Sequence, residues 1–590
     1  MALSRHRWPP GENPHGRIYN TAEGSVPHLA GTVIAPRIKM RRTGLVKAVL
    51  TVALLSFVAT ATAGEISPPV EPEGPPVESA PSGIRDLLGT SATGNLGDHP
   101  IIADAVRAFY EERNHERAWT TGAELSVAAR RLVNRVSRAQ RDGLAPLRSL
   151  PDVVDSLLEA QRLDRLDVLL TQVFLTYGLL LGRGQVAPEA VHRDWHADVP
   201  PPPEMLPALT AAVADGNVDG ALDALAPPGS SYHRLREALG RYLDVEAAGG
   251  WEAVPDGPLL KPGAHGHRVR VLRTRLQFTG DLAKSTPADG TAPEAYDGDV
   301  AAAVRRFQAR HGLPADGIVG PVTVAALNVP VATRVRQIAL NMERHRWLPP
   351  LEPRRVSVNI AAQQLIMFDD GREIKRMRVV TGQAYTPTPV LADRISHIVV
   401  NPYWHVPRSI AAQEILPEVK KEPGHLLRRG IQILTGHDDE AEEVAPWAIE
   451  WASLEPDDFP YVLRQAPGGD NPLGRLKFMF PNRFAVYLHD TPAPTAFDGL
   501  ERARSRGCVR VERPLTLAAF ALGDDPRWPR NAIERAIASG EQRRIDLTTE
   551  LPVYLLYWTA WADPDGTVNF REDLYGFDEQ LTLALMGLAS

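Results

Sequence analysis

Apolar positions along the chain recur at two different periods, and the change from one to the other divides it. Between 83 and 250 the period is helical. Leu163, Leu166, Leu170, Val173, Tyr177 and Leu180 follow one another at steps of three and four, and Gly182 and Gly184 then supply a stop. Tyr232, Leu235, Leu239 and Tyr242 repeat the stripe, which predicts a helical scaffold domain over 83–250. The run 246–263 (EAAGGWEAVPDGPLLKPG) interrupts the pattern with glycine and proline and marks a boundary. Three short stripes follow, Val269/Leu272/Leu276, Val300/Val304/Phe307 and Val324/Leu327, and predict a three-helix module over 257–330. Its glycines Gly312, Gly317 and Gly320 suit tight connections between helices, since no phosphate-cradling G-x-x-x-x-G-K follows a strand.

After one more helix, 332–345, the period falls to that of strands. VSVNI (356–360), QLIMF (364–368), MRVVTG (377–382), HIVVN (397–401), LKFMF (476–480) and AVYLH (485–489) predict a β-rich domain over 331–590. Between Asn401 and Lys477 lie 75 residues, with a predicted helix from Ser409 (SIAAQEILPEVKK) and a Gly-rich exit (APGGDNPLG). A segment of that length predicts an inserted cap, 402–476. The fold class expected is therefore multi-domain α+β: helical scaffold, three-helix module, and β-rich domain with a capping subdomain.

Length agrees, because 590 residues correspond to about four domains at the usual size. Toward the N-terminus, RRTGLVK (41–47) is followed by the uncharged run 48–64 (AVLTVALLSFVATATAG), the charged and apolar regions of an export signal. Residues 40–63 are expected to act as a signal peptide cleaved after Ala63, or as a membrane anchor giving inner-membrane association through 45–63. The Pro-rich stretch 64–82 is a spacer, and the polar residues 1–39 lack periodicity, so translation is expected to start at Met40. A net charge of −7 gives no cationic field for nucleic acid. With one cysteine, Cys508, the chain has no intramolecular disulfide, no cysteine-ligated zinc and no CxxC pair.

That cysteine lies 19 residues after His489, in HDTPAPTAFDGLERARSRGCVRV (489–511). A thiol becomes nucleophilic when a histidine takes or holds its proton, and a histidine at a strand end with a cysteine in a glycine-containing turn can meet that need. Gly507 permits unusual backbone angles, so the amides of Arg506, Gly507 and Cys508 are candidates for an oxyanion site. Arg506 and Arg510 are expected to make the neighbourhood electropositive and depress the thiol pKa. Ser505 and Arg510 are candidate substrate-binding residues. The alternative is an inert cysteine that packs as a small hydrophobe.

Two resemblances bear on these residues. The segment GHRVRVLRTRLQFTGDL with YDGDVAAAVRRFQARHGLPADGIVGPVTVAALN resembles the peptidoglycan-binding type 1 module, which implies a cell-wall anchor; a helical spacer would keep the same core pattern. Residues 489–511, extended by VNIAAQQLIMF, TGQAYTPTPV, NPYWHVP and NPLGRLKFMFPNRFAVYLHDTP, resemble the L,D-transpeptidase family with its YkuD-type catalytic domain, in its large multi-domain Gram-negative branch. The resemblance implies Cys508 as nucleophile, His489 as acid/base partner and the backbone carbonyl of Asp490 as the group orienting His489. The family signature carries histidine where this chain has Arg506. The implied reaction forms 3→3 crosslinks between peptidoglycan stem peptides through a cysteinyl thioester, with release of D-alanine and with no cofactor or metal. Peptidoglycan strands and other wall synthases are the implied partners, and the periplasm is the implied compartment. Two other classes stay open at this point: an exported cysteine peptidase, whose known families place cysteine before histidine, and a non-catalytic wall-binding scaffold.

Overall fold

The computed structural model describes residues 83–89, 100–192, 195–283, 294–422, 424–436 and 441–587. The expected upstream segment, signal and linker lie outside these residues.

The scaffold is built from α1 (Ile84–Gly89), α2 (Pro100–Glu112), α3 (Val127–Ser137), α4 (Leu150–Glu159), α5 (Leu163–Arg183), α6 (Met205–Asp215), α7 (Val218–Leu225) and α8 (Ser230–Ala247). One small hairpin, Thr120–Thr121 with Glu124–Leu125, interrupts the helices. The stripe on α5 suggested one buried face, but the helix is buried continuously from Leu166 to Leu181. It runs through the centre, in contact with α2, α3, α4, α6 and α7. A helix surrounded on all sides needs apolar residues all round, and α5 is accordingly long and apolar enough to span a membrane while being covered by protein. Gly182 lets it pack closely, since a Cβ there would meet Pro203 and the Leu225 carbonyl at 2.8–2.9 Å.

The module consists of α9 (His267–Phe278), α10 (Gly298–Arg310) and α11 (Pro321–Leu327), closed over Val269, Leu272, Leu276, Val300, Val304, Phe307 and Leu327. Asp297 caps α10 by accepting from the Val300 amide at 2.8 Å. Gln308 is buried and serves the turn that follows: its Oε1 accepts from Gly317 N at 2.8 Å and its Nε2 donates to Ile318 O at 2.9 Å. Gly317, at φ 75°, is the residue that lets the chain turn there.

The next helix, α12 (Val331–Arg346), is polar in sequence and almost wholly buried from Gln337 onward. Glu343 accepts from the Val186 amide at 3.0 Å and from Gln185, and pairs with Arg346 at 3.0 Å. Arg346 in turn donates to Tyr232 Oη at 2.9 Å and to the Asp142 carbonyl. Asn341 Nδ2 donates to Thr559 Oγ1 at 2.8 Å, Gln337 Nε2 to Arg571 O at 2.8 Å, and Arg344 pairs with Asp578 at 2.6 Å. One helix thus joins the scaffold to the C-terminal part of the chain.

The main sheet of the β-rich domain has nine strands: β1 (Arg355–Asn359), β2 (Gln364–Asp369), β3 (Arg372–Gly382), β4 (Leu391–Val400), then, past the insert, β8 (Leu476–Met479), β9 (Leu488–His489), β10 (Ala503–Ser505), β11 (Val509–Val511) and β12 (Arg543–Leu556). Their order is β10-β3-β11-β9-β8-β4-β12-β1-β2, and β2 also pairs with β3, which bends the sheet back on itself. β12, missing from the strands predicted by alternation, is central; its half 551–556 is a continuous apolar run with Pro552 inside it, a pattern without period two. The last predicted strand is shorter than expected. Ala485 adopts φ 54°, and the Asn482 side chain organises the approach by accepting from the Phe484 and Val486 amides.

The insert forms β5 (Trp404–His405), β6 (Ile431–Leu434) and β7 (Val462–Gln465) as a separate three-stranded sheet, over its own core of Trp404, Ile415, Leu426, Ile433, Trp451 and Leu463. Its helix runs Arg408–Lys421 with a π-turn at Ala411–Ile415 just before Pro417, whose missing N–H cannot continue the α ladder.

Replacing Glu343 by Gln leaves the Arg346 guanidinium buried without its counter-charge. The expected loss is about 3–5 kcal/mol of stability, read as a lowered denaturation midpoint in urea. A change below about 1 kcal/mol would show that α12 does not hold the fold in this way.

Candidate active site

Strand register puts the chemistry on one face. Lys477 on β8 is opposite His489 on β9, His489 is opposite Arg510 on β11, and Arg510 is opposite Val380 on β3. Residues directly opposite share a face, and residues two apart on one strand share it too, so Tyr487 and Cys508 project with them. The intervening residues, Leu488, Val509 and Phe478, point the other way into the core of the β-rich domain. Tyr487 packs against both this core and the core of the insert. The candidate site lies between the sheet and the cap.

His489 is buried, and its Nδ1–H donates to the Asp490 carbonyl at 2.5 Å, which leaves Nε2 as the basic nitrogen. Asp490 is itself fixed: its carboxylate accepts from the Arg475 amide at 2.8 Å and the Thr491 amide at 2.7 Å. Gly474, at φ 62°, makes room for it, because a Cβ there would lie 2.4 Å from the carboxyl carbon. Burial, followed by the charges of Arg510 and Lys477 on either side, lowers the His489 pKa to about 3. The imidazole is therefore neutral at neutral pH.

Cys508 is half-buried at the entrance to β11, with its Sγ 3.9 Å from the Ala485 carbonyl. Ala485 presents that carbonyl from its left-handed conformation, a backbone state found disproportionately at functional sites. Burial pushes the thiol pKa up, opposed by the Tyr487 backbone amide, Lys477, the Tyr487 hydroxyl and Arg510. The expected depression by an electropositive setting is outweighed by desolvation, and the cations acting on the thiol are Lys477 and Arg510.

Arg506 turns elsewhere, into an ion pair with Glu414 of the insert. Its charge ties the turn that carries Cys508 to the cap. Ser505 is buried and its hydroxyl is spent inside the turn, donating to Cys508 O at 2.5 Å and accepting from Gly507 N at 3.2 Å. The side chain expected to bind substrate instead shapes the loop, and the Gly507 amide expected in an oxyanion site is already engaged. Among the described residues no hydrogen bond occupies the amides of Arg506 and Cys508, which remain the candidate donors. Gly507 adopts φ 105°, and Thr388 Oγ1 donates to its carbonyl at 2.8 Å while accepting from Gly382 N at 2.9 Å. Tyr575 closes this lattice by donating to Gly382 O at 2.6 Å.

Two residues of the site went unnoticed in the sequence. Tyr487 touches the thiol with its amide and its hydroxyl, and Lys477 places its ammonium 3.9 Å from the centre of the Tyr487 ring. Tyr487 could have been found as the i−2 neighbour of a strand-end histidine, whereas Lys477 becomes visible only through the β8–β9 register. Among the described residues no cluster of His, Cys, Asp and Glu could hold a metal ion. Beside the turn, a cavity of about 790 Å³ opens between Arg506 and Gly507, the 386–390 loop, Phe484 and the C-terminal helix Phe577–Gly587.

Comparison with known proteins agrees with this arrangement. Residues 353–533 match the L,D-transpeptidase catalytic domain (YkuD), residues 104–239 a scaffold domain, and residues 265–327 a "Putative peptidoglycan binding domain". A Haemophilus influenzae protein named "Putative L,D-transpeptidase" is 36% identical over 249 residues, 42% of this chain and 49% of that protein. The N-acetylmuramoyl-L-alanine amidase CwlL of Bacillus licheniformis is 38% identical over 71 residues, 12% of this chain and 19% of that protein. The chain thus spans about half the length of the first of these curated relatives and about a fifth of the second. The crystal structure of an L,D-transpeptidase from Xylanimonas cellulosilytica aligns with 51% of this chain and 99% of its own at 18% identity, with a TM-score of 0.17 that adds nothing to the assignment. The chain carries an L,D-transpeptidase catalytic domain of the YkuD family joined to a peptidoglycan-binding module.

Proposed function

We propose that the protein forms 3→3 crosslinks between peptidoglycan stem peptides in the periplasm, with Cys508 as nucleophile and His489 as acid and base. The reading is carried by the placement of Cys508 and a neutral, carbonyl-oriented His489 on one sheet face beneath a cap. The Cys508 sulfur attacks the carbonyl of the third-residue diaminopimelate of a donor tetrapeptide, and its proton passes to His489 Nε2. The amides of Arg506 and Cys508 stabilise the oxyanion. Collapse breaks the C–N bond, His489 returns the proton to the leaving amine, and D-alanine departs from a thioester. The side-chain amine of diaminopimelate on a second stem then attacks the thioester, giving its proton to His489. The thiol leaves and is re-protonated, and the new amide is the crosslink. The cap has the task of keeping water from the thioester meanwhile. Residues 40–63 would export the chain and, if uncleaved, hold it at the inner membrane, while the wall module would hold the glycan strand.

Intact-protein mass spectrometry tests the nucleophile. With excess carbapenem the folded protein is expected to gain one adduct per chain, absent from Cys508→Ser and formed about 100-fold more slowly in His489→Ala. A protein that stays unmodified and also releases no D-alanine from tetrapeptide muropeptides would refute the assignment.

The free pair is expected to rest as thiol and neutral imidazole, because the Cys508 pKa is raised and that of His489 lies at about 3. Alkylation of Cys508 by iodoacetamide should therefore climb about tenfold per pH unit from pH 6 through 8. A plateau across that range would reveal a preformed thiolate–imidazolium pair instead.

Breaking the contact between cap and turn with Glu414→Gln should raise the ratio of hydrolysis to crosslinking by about two- to fivefold, the range of a partly exposed ion pair. An unchanged product ratio would remove Arg506–Glu414 from the mechanism.

A further inference from the structure

Among the described residues the two cations that flank His489 have no counter-ion. Among the described residues Lys477 makes no ion pair; its ammonium rests on the Tyr487 ring at 3.9 Å. Arg510 likewise has no carboxylate partner, and its Nε is buried without a hydrogen bond. Both side chains are half-buried, and burial lowers the pKa of each, so each pays a desolvation cost that no carboxylate among the described residues offsets. Other part-buried arginines meet a carboxylate, as Arg344 meets Asp578 and Arg378 meets Glu512, or spend their donors on carbonyls, as Arg571 does on Arg310 O and Phe570 O. The sheet register sets the two unpaired cations one on each side of the histidine, on the face that carries the thiol. An anion belongs between them.

The reading of the reaction given above, on which this inference rests, supplies one. In a donor tetrapeptide the terminal carboxylate lies three bonds beyond the attacked carbonyl carbon, and Arg510 on β11 stands two residues from Cys508, close enough for its charge to act on the thiol. We propose that Lys477 and Arg510 together clamp the C-terminal carboxylate of the donor stem, and that Lys477 thereby selects stems ending one residue past the attacked carbonyl. A longer stem would put a neutral amide where the clamp expects a charge. Binding also has a chemical consequence: a carboxylate seated between the cations offsets the field that holds His489 unprotonated, so the base strengthens when the correct donor is in place.

The test compares a tetrapeptide stem with its C-terminal D-alaninamide and with an analogue carrying lysine in place of diaminopimelate, following release of the terminal residue. The wild-type protein is expected to prefer the free acid over the amide by about 10- to 100-fold in kcat/KM, the range of a charge-assisted contact, and to lose far less with the lysine analogue. Lys477→Met should lower kcat/KM for the acid by at least about tenfold, mainly through KM, and so shrink the acid-over-amide preference by at least about fivefold; Lys477→Arg should restore that preference. Alkylation of Cys508 by iodoacetamide in Lys477→Met should change by less than about threefold, since a lysine that mattered chiefly by lowering the thiol pKa would slow alkylation and turnover together. Equal use of acid and amide by the wild type, discrimination that follows the diaminopimelate carboxylate instead, or parallel loss of alkylation and turnover would each overturn the clamp. A wild-type protein that releases no D-alanine from any stem would overturn the crosslinking reading, a separate failure.

Discussion

The carboxylate of Glu343 is the point through which the helical and β-rich halves of this chain are held together. It sits at the end of a wholly buried turn of α12, receives the amides of Gln185 and Val186 where the chain leaves the long scaffold helix, and neutralises Arg346, which reaches to Tyr232 and Asp142. Gly184 is needed for this approach, since a Cβ at that position would lie 2.5 Å from the Glu343 carboxylate. Apolar packing would tolerate sliding between two helical layers, whereas a charged pair with each hydrogen bond aimed at a particular amide does not. The same helix passes this registration on through Gln337, Asn341 and Arg344 to Thr559, Arg571 and Asp578. The 573–577 segment then reaches the nucleophile's turn, because Tyr575 holds Gly382 and Thr388 holds Gly507. Stability and site geometry are therefore one chain of contacts.

At the site the decisive contest is between desolvation and charge. Cations near a cysteine ordinarily favour the thiolate, and two are present, yet burial of the thiol outweighs them. The same burial, helped by those same cations, keeps His489 neutral. The resting state is consequently uncharged on both partners. An unionised thiol is also less prone to oxidation.

Much of this was legible in the sequence, and the parts that were not share a cause. Periodicity located the helices of the scaffold and the module, since Leu163–Leu180 and Val300–Phe307 bury their stripes locally. His489 and Cys508 stood out because their residue types at a strand end and a glycine turn are uncommon. Lys477 did not, since it sits in an ordinary alternating strand and gains meaning only from its neighbour across the sheet. β12 escaped because a strand buried on both faces has no alternation to detect. Arg506 was misjudged for a related reason. Two residues from the thiol in sequence, it spends its charge on Glu414, which is 92 positions away and arrives only when the insert folds over the sheet.

That pairing gives the insert a more definite part than a passive cover. The insert has its own sheet and its own core, so it moves or stays as a unit, and its helix carries Glu414 on a π-turn, a strained register that α-helical packing alone would not select. The π-turn arises because Pro417 removes a donor from the ladder, and its effect is to shift the residues before it relative to an unbroken helix. Glu414 lies within that shifted turn and meets Arg506, the residue two before the nucleophile. An exposed ion pair contributes little to stability, so its value lies in placement: it fastens the cap at the loop that carries Cys508, and it can open without unfolding either body. For the crosslinking proposed above, a cap fixed by packing would exclude water equally well but would also exclude the second stem peptide, whereas one held by a weak charge pair can part for an incoming strand and close again.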